Sequence, residues 1–298
     1  PSWVFWGAKR MALVVVTLLV LGTAILAAVG YQLSQGFTDL EPLLYLKSVG
    51  LRIGIPLVLI AVLALFTQVL THNKYLGFLL MVLYYVSLPV LGALDLTHNL
   101  YQYAQTPPTP YSDMNGFGHF VEPAAWFLTY WGFAAVGLLV LVHLLWVRGE
   151  ESSFAVRLRL ARQRLSAPVV AVAAVVFLGF VGTGSWIYYN TNVLNEHRSP
   201  DELRDLRVRY EEEYKRYQGA PQPRITAVYA EVDIYPERRA VDIRGTYTVR
   251  NRETVALDSV HMVWNPRVMD TLTLELPGAE VVHEDPEMGW RTYRLTEP

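Results

Sequence analysis

Five long apolar segments occupy most of the first 190 residues, and they restrict this part of the chain to membrane-spanning helices. A helix needs about 20 mostly apolar residues to cross the ~30 Å hydrocarbon core of a bilayer. None of the five segments has a Lys, Arg, Asp or Glu in its interior, so buried helices of a water-soluble protein explain them poorly. The segments are about Met11–Tyr31, Ile53–Leu70, Leu76–Leu94, Pro123–Val147 and Pro168–Tyr189.

The overall charge and composition exclude several classes of function. Charged residues make up 17% of the chain, against about 25% in an average soluble protein. The net charge of −2 gives no field that would attract nucleic acid, so we expect no nucleic-acid partner. The chain has no cysteine, which excludes disulfides, thiolate zinc sites and cysteine nucleophiles. It also has no Gly-x-x-x-x-Gly-Lys-Ser/Thr motif, which excludes a P-loop for ATP hydrolysis.

The Lys and Arg residues of the short loops predict how the spans are oriented. Cytoplasmic loops carry an excess of these residues, and eight lie on one side of the predicted spans against Lys47 and Arg52 on the other. We therefore expect a membrane protein whose loop Glu150–Ala167 is cytoplasmic and whose chain after Tyr189 is extracytoplasmic. The Arg-rich face of that loop is expected to contact anionic lipid or a partner subunit. The eight residues are Lys9, Arg10, Lys74, Arg148, Arg157, Arg159, Arg162 and Arg164.

A few polar and small residues near the spans are candidates for special roles. Asp95, His98, Asp113 and His119 flank the third and fourth spans and would together offer ligands for a metal or a proton path. Their spacing matches no ligand motif, so we favour a structured outer loop, rich in Gly and Pro, that packs on the helix ends.

Two further positions lie inside the spans. His143 is expected to make a packing hydrogen bond within the bundle, because polar groups in spans usually face its interior. Gly179 and Thr183 form a small-xxx-small pair, which indicates a helix contact.

The residues that follow the spans predict a soluble helix. Ser199 fits an N-cap, Pro200 fits the first helical position, and Glu202 completes a capping box. We expect a solvated charged face over Arg204–Arg216, and the helix ends at the Pro-rich segment Gly219–Pro223. Its apolar stripe has three- and four-residue spacing and consists of Leu203, Leu206, Tyr210, Tyr214 and Tyr217.

From Arg224 the hydrophobic period changes to two, which is typical of strands. Alternating residues on either side of Pro236–Arg238 predict a hairpin with one face buried. Short strands separated by turns indicate a β-sandwich or an open, saddle-like sheet, and the number of strands is low for a complete sandwich. The further strands are expected at about Leu257–Trp264, Thr271–Leu276, Ala279–His283 and Arg291–Leu295.

These patterns divide the chain into three parts. We predict a multi-span α-helical membrane domain with about five spans over residues 1–190, a linker helix over 191–223 and an incomplete all-β domain over 224–298. Because the chain starts at Pro1 and stops at Pro298 within a strand pattern, we expect it to be a fragment of a larger protein.

The residues Val232–Asn251, with Gly245, and the segment Ser259–Pro266 resemble the N-terminal β domain of aminopeptidase-N-type zinc metallopeptidases. The linker Asn195–Ile225, the preceding spans and the loop Pro110–Phe120 resemble bacterial fusion proteins that join an ABC transporter permease to such an aminopeptidase. The resemblance implies a bacterial inner-membrane protein with a zinc peptidase outside the cytoplasm, and with peptides as substrates of the parent protein.

The chain lacks the motifs that carry the chemistry of that family. The family needs a His-Glu-x-x-His helix, whose two His bind zinc, and a Gly-x-Met-Glu-Asn strand for the substrate amine. No two of the seven His are four residues apart, and His261 and His283 are expected to serve sheet packing. We therefore assign no catalytic, cofactor or metal residue here, and the resemblance implies that zinc binds beyond Pro298.

Three functions remain open. One is the anchor and first β domain of a membrane-bound zinc aminopeptidase, with the fragment itself inactive. The alternative is an ABC-type permease subunit with an extracytoplasmic domain that handles substrate, driven by a separate ATPase docked at residues 148–167. A membrane-tethered β domain that only scaffolds partners is a third reading.

Overall fold

A computed structural model describes residues 2–147, 153–238, 240–269 and 271–297. The chain divides into a helical unit, Pro1–Pro200, and a second unit, Asp201–Pro298. The second unit holds a helix and two small antiparallel sheets, neither of which closes into a barrel. The predicted fold class, a helical membrane part followed by a helix and a β domain, is confirmed.

The described part of the first unit contains five helical stretches that are long and apolar enough to cross a membrane. Only 6% to 28% of each stretch is buried inside the protein, so most apolar side chains point outward, as expected where lipid is the solvent. A π-helical turn at Gly50–Gly54 joins α2 to α3 in the second stretch. The helices are α1 (Ser2–Ser34), α2 (Pro42–Val49), α3 (Ile55–Thr71), α4 (Lys74–Ala93), α5 (Val121–Leu145), α6 (Phe154–Arg164) and α7 (Ala167–Tyr188).

A tight turn reverses the chain between α3 and α4. His72 adopts a left-handed conformation with φ 51° and ends α3. Asn73 then caps α4, because its side-chain oxygen accepts hydrogen bonds from the backbone N–H groups of Tyr75 and Leu76. An Asn at this position satisfies backbone donors that have no partner inside the helix. The two spans therefore lie side by side and antiparallel.

The core of the first unit is aromatic and is centred on α5. Tyr130 and Trp131 are only 8% and 6% exposed, so they pack inside the helical unit. Tyr130 stacks on Phe180 at 4.4 Å between ring centroids. The loop that follows α4 supplies the polar partners, since Trp131 donates to Gln105 O at 2.9 Å and Tyr103 donates to Leu59 O at 2.9 Å. The predicted structured loop on the helix ends is confirmed.

A close approach of α5 and α7 confirms the helix contact predicted at Gly179. A Cβ at this position would lie 2.4 Å from a ring carbon of Phe133, which is inside van der Waals contact. Thr183, the second small residue, donates to Gly179 O within its own helix at 2.7 Å. The missing side chain at residue 179 therefore lets the two spans approach closely at this point.

The second unit is built on helix α8 (Pro200–Tyr214), which continues in a 3-10 turn at Lys215–Tyr217. The predicted apolar stripe of this helix contacts Trp290, with centroid distances of 4.5 Å to Tyr214 and 5.4 Å to Tyr217. The strands of the second unit pair as β1–β2 and as β3–β5–β4. They are β1 (Arg224–Tyr235), β2 (Ala240–Arg250), β3 (Ser259–Val263), β4 (Ala279–Asp285) and β5 (Trp290–Leu295).

The hairpin of β1 and β2 differs from the prediction in one respect. The antiparallel pairing places Val232 opposite Ile243 and Ile234 opposite Val241, on one apolar face. We predicted that this face is buried, and that prediction is wrong: Ile234 and Ile243 are 67% and 65% exposed. Alternation reveals that a hairpin has an apolar face, but not whether another element covers it.

Gly245 is required by the pairing of this hairpin. A Cβ at residue 245 would lie 2.1 Å from Tyr229 O on the opposite strand. Since a backbone oxygen in a strand pair has no free rotation to relieve that overlap, only glycine fits here.

A second correction concerns the strand predicted at about Thr271–Leu276. The structure shows no regular secondary structure there. The Tyr293 hydroxyl on β5 donates to Leu274 O at 3.0 Å. This side-chain hydrogen bond, and not pairing with a neighbouring strand, holds the segment.

We predict that Gly179→Ala destabilises the first unit, whereas Gly182→Ala does not. Gly182 lies on the same helix with no heavy atom within 4 Å of its built Cβ, so both variants gain helix propensity and only one gains a clash. The expected loss for Gly179→Ala is about 1–3 kcal/mol, measured as the unfolding midpoint of the protein in detergent. Equal midpoints for the two variants would contradict the close packing.

Candidate functional site

Helix α6, between the fourth and fifth spans, carries the most unusual polar arrangement in the helical unit. Arg157 on this helix is only 2% exposed. Its guanidinium donates to Leu70 O at 3.0 Å, to Leu145 O at 3.3 Å and to Val69 O. The acceptors are carbonyls at the last turns of α3 and α5, so one side chain joins α6 to the ends of two spans.

Physical chemistry explains why an arginine occupies this position. The last four carbonyls of a helix have no intrahelical partner, and the helix dipole makes this end favourable for a cation. A guanidinium presents five N–H donors in a fixed plane and can serve several carbonyls at once. Burial lowers the pKa of Arg157, and the surrounding carbonyl dipoles offset that desolvation.

Arg164 at the end of α6 repeats the interaction on α5. Its Nη1 donates to Leu144 O at 3.1 Å, to His143 O at 3.3 Å and to Trp146 O. We call Arg157 and Arg164 the capping pair. The other two arginines of the helix, Arg159 and Arg162, are exposed, and we call them the exposed pair. Of the remaining predicted cytoplasmic residues, Arg148 and the side chains of Lys9 and Arg10 lie outside the described part of the chain.

His143 does not have the role predicted for it. Its backbone carbonyl accepts from Arg164, but its imidazole makes no hydrogen bond to any residue in the described ranges. The side chain lines an apolar groove between α5 and α7, together with Val136, Leu139 and Val172.

At the opposite end of the bundle, His98 lies in a hydrogen-bonded cluster that sequence reasoning did not find. The Leu100 backbone N–H donates to His98 Nδ1 at 3.1 Å, so Nε2 carries the proton and donates to Thr191 Oγ1 at 3.0 Å. Asn192 donates to the same hydroxyl at 2.8 Å, and the His197 ring lies 4.6 Å from the His98 ring. His98 therefore links the loop after α4 to the end of α7.

The histidine cluster favours an uncharged His98. Burial lowers the pKa of its imidazole, and the neighbouring His197 lowers it further. Both ring nitrogens have defined partners, and His98 acts as a structural link with no nitrogen available for a ligand.

The other candidates for a metal or proton site are not brought together. Asp113 is exposed, and His119 packs against Phe120 with ring centroids 4.0 Å apart. Across the described ranges, no group of three or more His, Cys, Asp or Glu side chains is placed to hold a metal ion. The described residues therefore offer no zinc ligand set like that of the zinc peptidases that the sequence resembles.

In the second unit, hydrogen bonds and ion pairs connect α8 to the three-stranded sheet. The buried Tyr214 hydroxyl donates to Asp285 Oδ2 at 2.8 Å and lies 3.2 Å from His283 Nε2. Arg209 reaches the same carboxylate at 3.0 Å and also pairs with Glu213 and Glu287. Burial acts to raise the pKa of Asp285, but hydrogen bonds from Tyr214 and from the Met288 N–H, with the Arg209 charge, bring it below its ordinary value.

The expected packing role of the two strand histidines is confirmed. His261 Nδ1 lies 3.1 Å from Thr292 Oγ1, and its ring lies 4.2 Å from Tyr217. His283 contacts Tyr214 as described above. Trp290, which completes this cluster, was not singled out by the sequence, although a Trp beside a turn glycine would have been a reasonable signal.

Comparison with known proteins yields no matching family model, no matching curated protein and no matching solved structure.

We predict that Arg157→Lys weakens the helical unit strongly. A lysine ammonium is a point donor that cannot span the carbonyls of two helices, and each unmade hydrogen bond to a buried acceptor costs about 1–3 kcal/mol. The matched control is Arg159→Lys, because Arg159 lies on the exposed side of the same helix. The unfolding midpoint in detergent should fall only for Arg157→Lys; an unchanged midpoint would contradict the capping role.

We predict that the link made by His98 weakens in acid. Because its pKa is lowered in the folded state, the folded protein binds fewer protons than the unfolded chain. The stabilisation is complete above about pH 6.5, the ordinary histidine pKa, and is lost as the pH falls through the folded value. Hydrogen exchange near residues 95–105, corrected for the intrinsic rate, should therefore rise between pH 7.5 and pH 5.5. His98→Gln should remove this pH dependence and His119→Gln should keep it; the reverse pattern would refute the assignment.

We predict that Tyr214→Phe destabilises the second unit by about 1–3 kcal/mol, because a buried carboxylate loses a hydrogen bond. Tyr229→Phe is the control, since the Tyr229 hydroxyl bonds Glu231 on an exposed strand surface. Hydrogen exchange over residues 279–295 should increase for Tyr214→Phe alone. Similar exchange in both variants would show that the Tyr214 hydrogen bond contributes nothing.

Proposed function

We propose that this chain forms the membrane-anchoring region and the first β domain of a membrane-bound zinc aminopeptidase that acts on peptides outside the cytoplasm. In this proposal the five spans hold the protein in a bacterial inner membrane. The second unit shapes part of the extracytoplasmic peptidase, and the chain carries no catalytic residue itself.

The exposed apolar face of the β1–β2 hairpin is the observation that carries the proposal. Seven large apolar side chains lie on one side of a two-stranded sheet, and all are at least 42% exposed. Such a face is suited to packing against a further β layer, as expected of one part of a larger β domain. The seven are Val228, Val232, Ile234, Val241, Ile243, Tyr247 and Val249.

The distribution of basic residues supports the orientation. Lys74 and the four arginines of α6 lie at one end of the bundle, against Lys47 and Arg52 at the other. Under the positive-inside rule this assigns the α6 end to the cytoplasm. Since the second unit follows the C-terminal end of α7, it belongs to the opposite side.

The described residues do not fit a zinc ion, because they offer no group of three ligands. In this proposal, zinc is bound by another part of the parent protein.

The permease alternative rests on α6 as a docking helix for an ATPase. The capping pair is occupied by span carbonyls, so among the arginines of α6 Arg159 and Arg162 are the two exposed to such a partner. Changing all the arginines of α6 would damage the bundle as well as any docking surface, so a test of that alternative has to be confined to the exposed pair.

The proposal is tested with membranes from cells that express either the full reading frame or residues 1–298. An aminoacyl reporter measures release of an N-terminal residue, with and without a metal chelator and with zinc added back. We expect activity only from the full frame, lost with the chelator and restored by zinc. Zinc-dependent turnover by residues 1–298, or no activity from the full frame, would overturn the proposal.

A further inference from the structure

The outer surface of α6 combines two exposed cations, Arg159 and Arg162, with an apolar strip. The helix has the sequence FAVRLRLARQR and contains no acidic residue. Within the described ranges no carboxylate pairs with Arg159 or Arg162. Three large apolar side chains of the same segment are also uncovered, at 43% to 53% exposure. They are Phe154, Leu158 and Leu165.

The capping pair fixes the depth of this surface. Arg157 and Arg164 bond to carbonyls in the last turns of α3 and α5 and to Trp146 just beyond. The fifth span begins at Ala167, three residues after α6 ends. The helix is therefore held where three spans start or end, which is the level of the boundary between hydrocarbon and headgroups.

Helical geometry separates the two pairs of arginines. At roughly 100° per residue, Arg159 and Arg162 lie about 200° and 140° around the helix from the buried Arg157. They are three residues apart, so their side chains are neighbours on the helix surface. Phe154, Leu158 and Leu165 form a strip about 40° wide, beside Arg162 and nearer the buried face.

We propose that Arg159 and Arg162 bind the phosphate of an anionic phospholipid, while Phe154, Leu158 and Leu165 contact the upper part of its acyl chains. Guanidinium groups bind phosphate through paired, charge-assisted hydrogen bonds. An interfacial helix with cations on one side and apolar residues on the other is suited to anionic lipid. A soluble acidic protein or a free anion would use the cations but leave the apolar strip uncovered, and this favours the lipid.

The proposal is tested by lipid binding to the purified full chain in detergent, with bound phospholipid counted by native mass spectrometry. The probes are phosphatidylglycerol, phosphatidylcholine and glycerol phosphate. We expect phosphatidylglycerol to bind best. The double variant Arg159→Gln/Arg162→Gln should bind it about 10- to 30-fold more weakly, since each arginine near a lipid surface contributes roughly a factor of five.

The matched control is Arg207→Gln/Arg252→Gln, which removes the same charge from exposed arginines of the second unit and should leave lipid binding unchanged. Leu158→Ser should weaken the binding of phosphatidylglycerol but not the binding of glycerol phosphate. The unfolding midpoints of the two arginine double variants should match that of the unchanged protein, because all four arginine side chains are exposed.

Three results would overturn the proposal. Equal loss of binding in the control variant would show a general charge effect. Binding of glycerol phosphate as tight as that of phosphatidylglycerol would show a site for soluble anions. Unchanged lipid binding in the double variant, with loss of a co-purifying protein, would show a protein docking surface.

Discussion

The guanidinium of Arg157 bonds to the carbonyl ends of two spans at once, and the arrangement of the helical unit at that end depends on it. Unpaired carbonyls near a bilayer are unfavourable because little water is available to bind them. A helix placed there with an arginine turned inward satisfies them and joins α3, α5 and α6. Because Arg157 faces the spans, the helix periodicity turns Arg159 and Arg162 outward.

The two units of the chain place their apolar side chains differently. In the first, lipid surrounds the helices, so apolar side chains point outward. Inside the unit, aromatic side chains pack together, and α5 and α7 approach closely where Gly179 has no side chain. In the second, Tyr214 and Trp290 are buried between a helix and a sheet. The hairpin departs from that rule, since its apolar face stays exposed, and that departure is the strongest structural support for a larger β domain.

The sequence predicted well those features that depend on local composition. Apolar run length located the spans within a few residues, as with Leu76–Leu94 against the observed α4, and alternation with turn signals located all five observed strands. It failed where the answer depends on a distant partner. Nothing local shows that Arg157 caps two spans, that His98 meets Thr191, or that a cover for the hairpin is missing. The strand predicted at 271–276 failed for the same reason, because no neighbouring strand pairs with it.

The measurement that most directly tests this account is hydrogen exchange of α6 in lipid nanodiscs. If Arg157 and Arg164 hold the helix against the span ends, its backbone amides should be protected about as well as the adjoining last turns of α3 and α5. Exchange as fast as in an unstructured peptide would contradict the account, because a detached helix could neither cap the spans nor present a fixed outer surface.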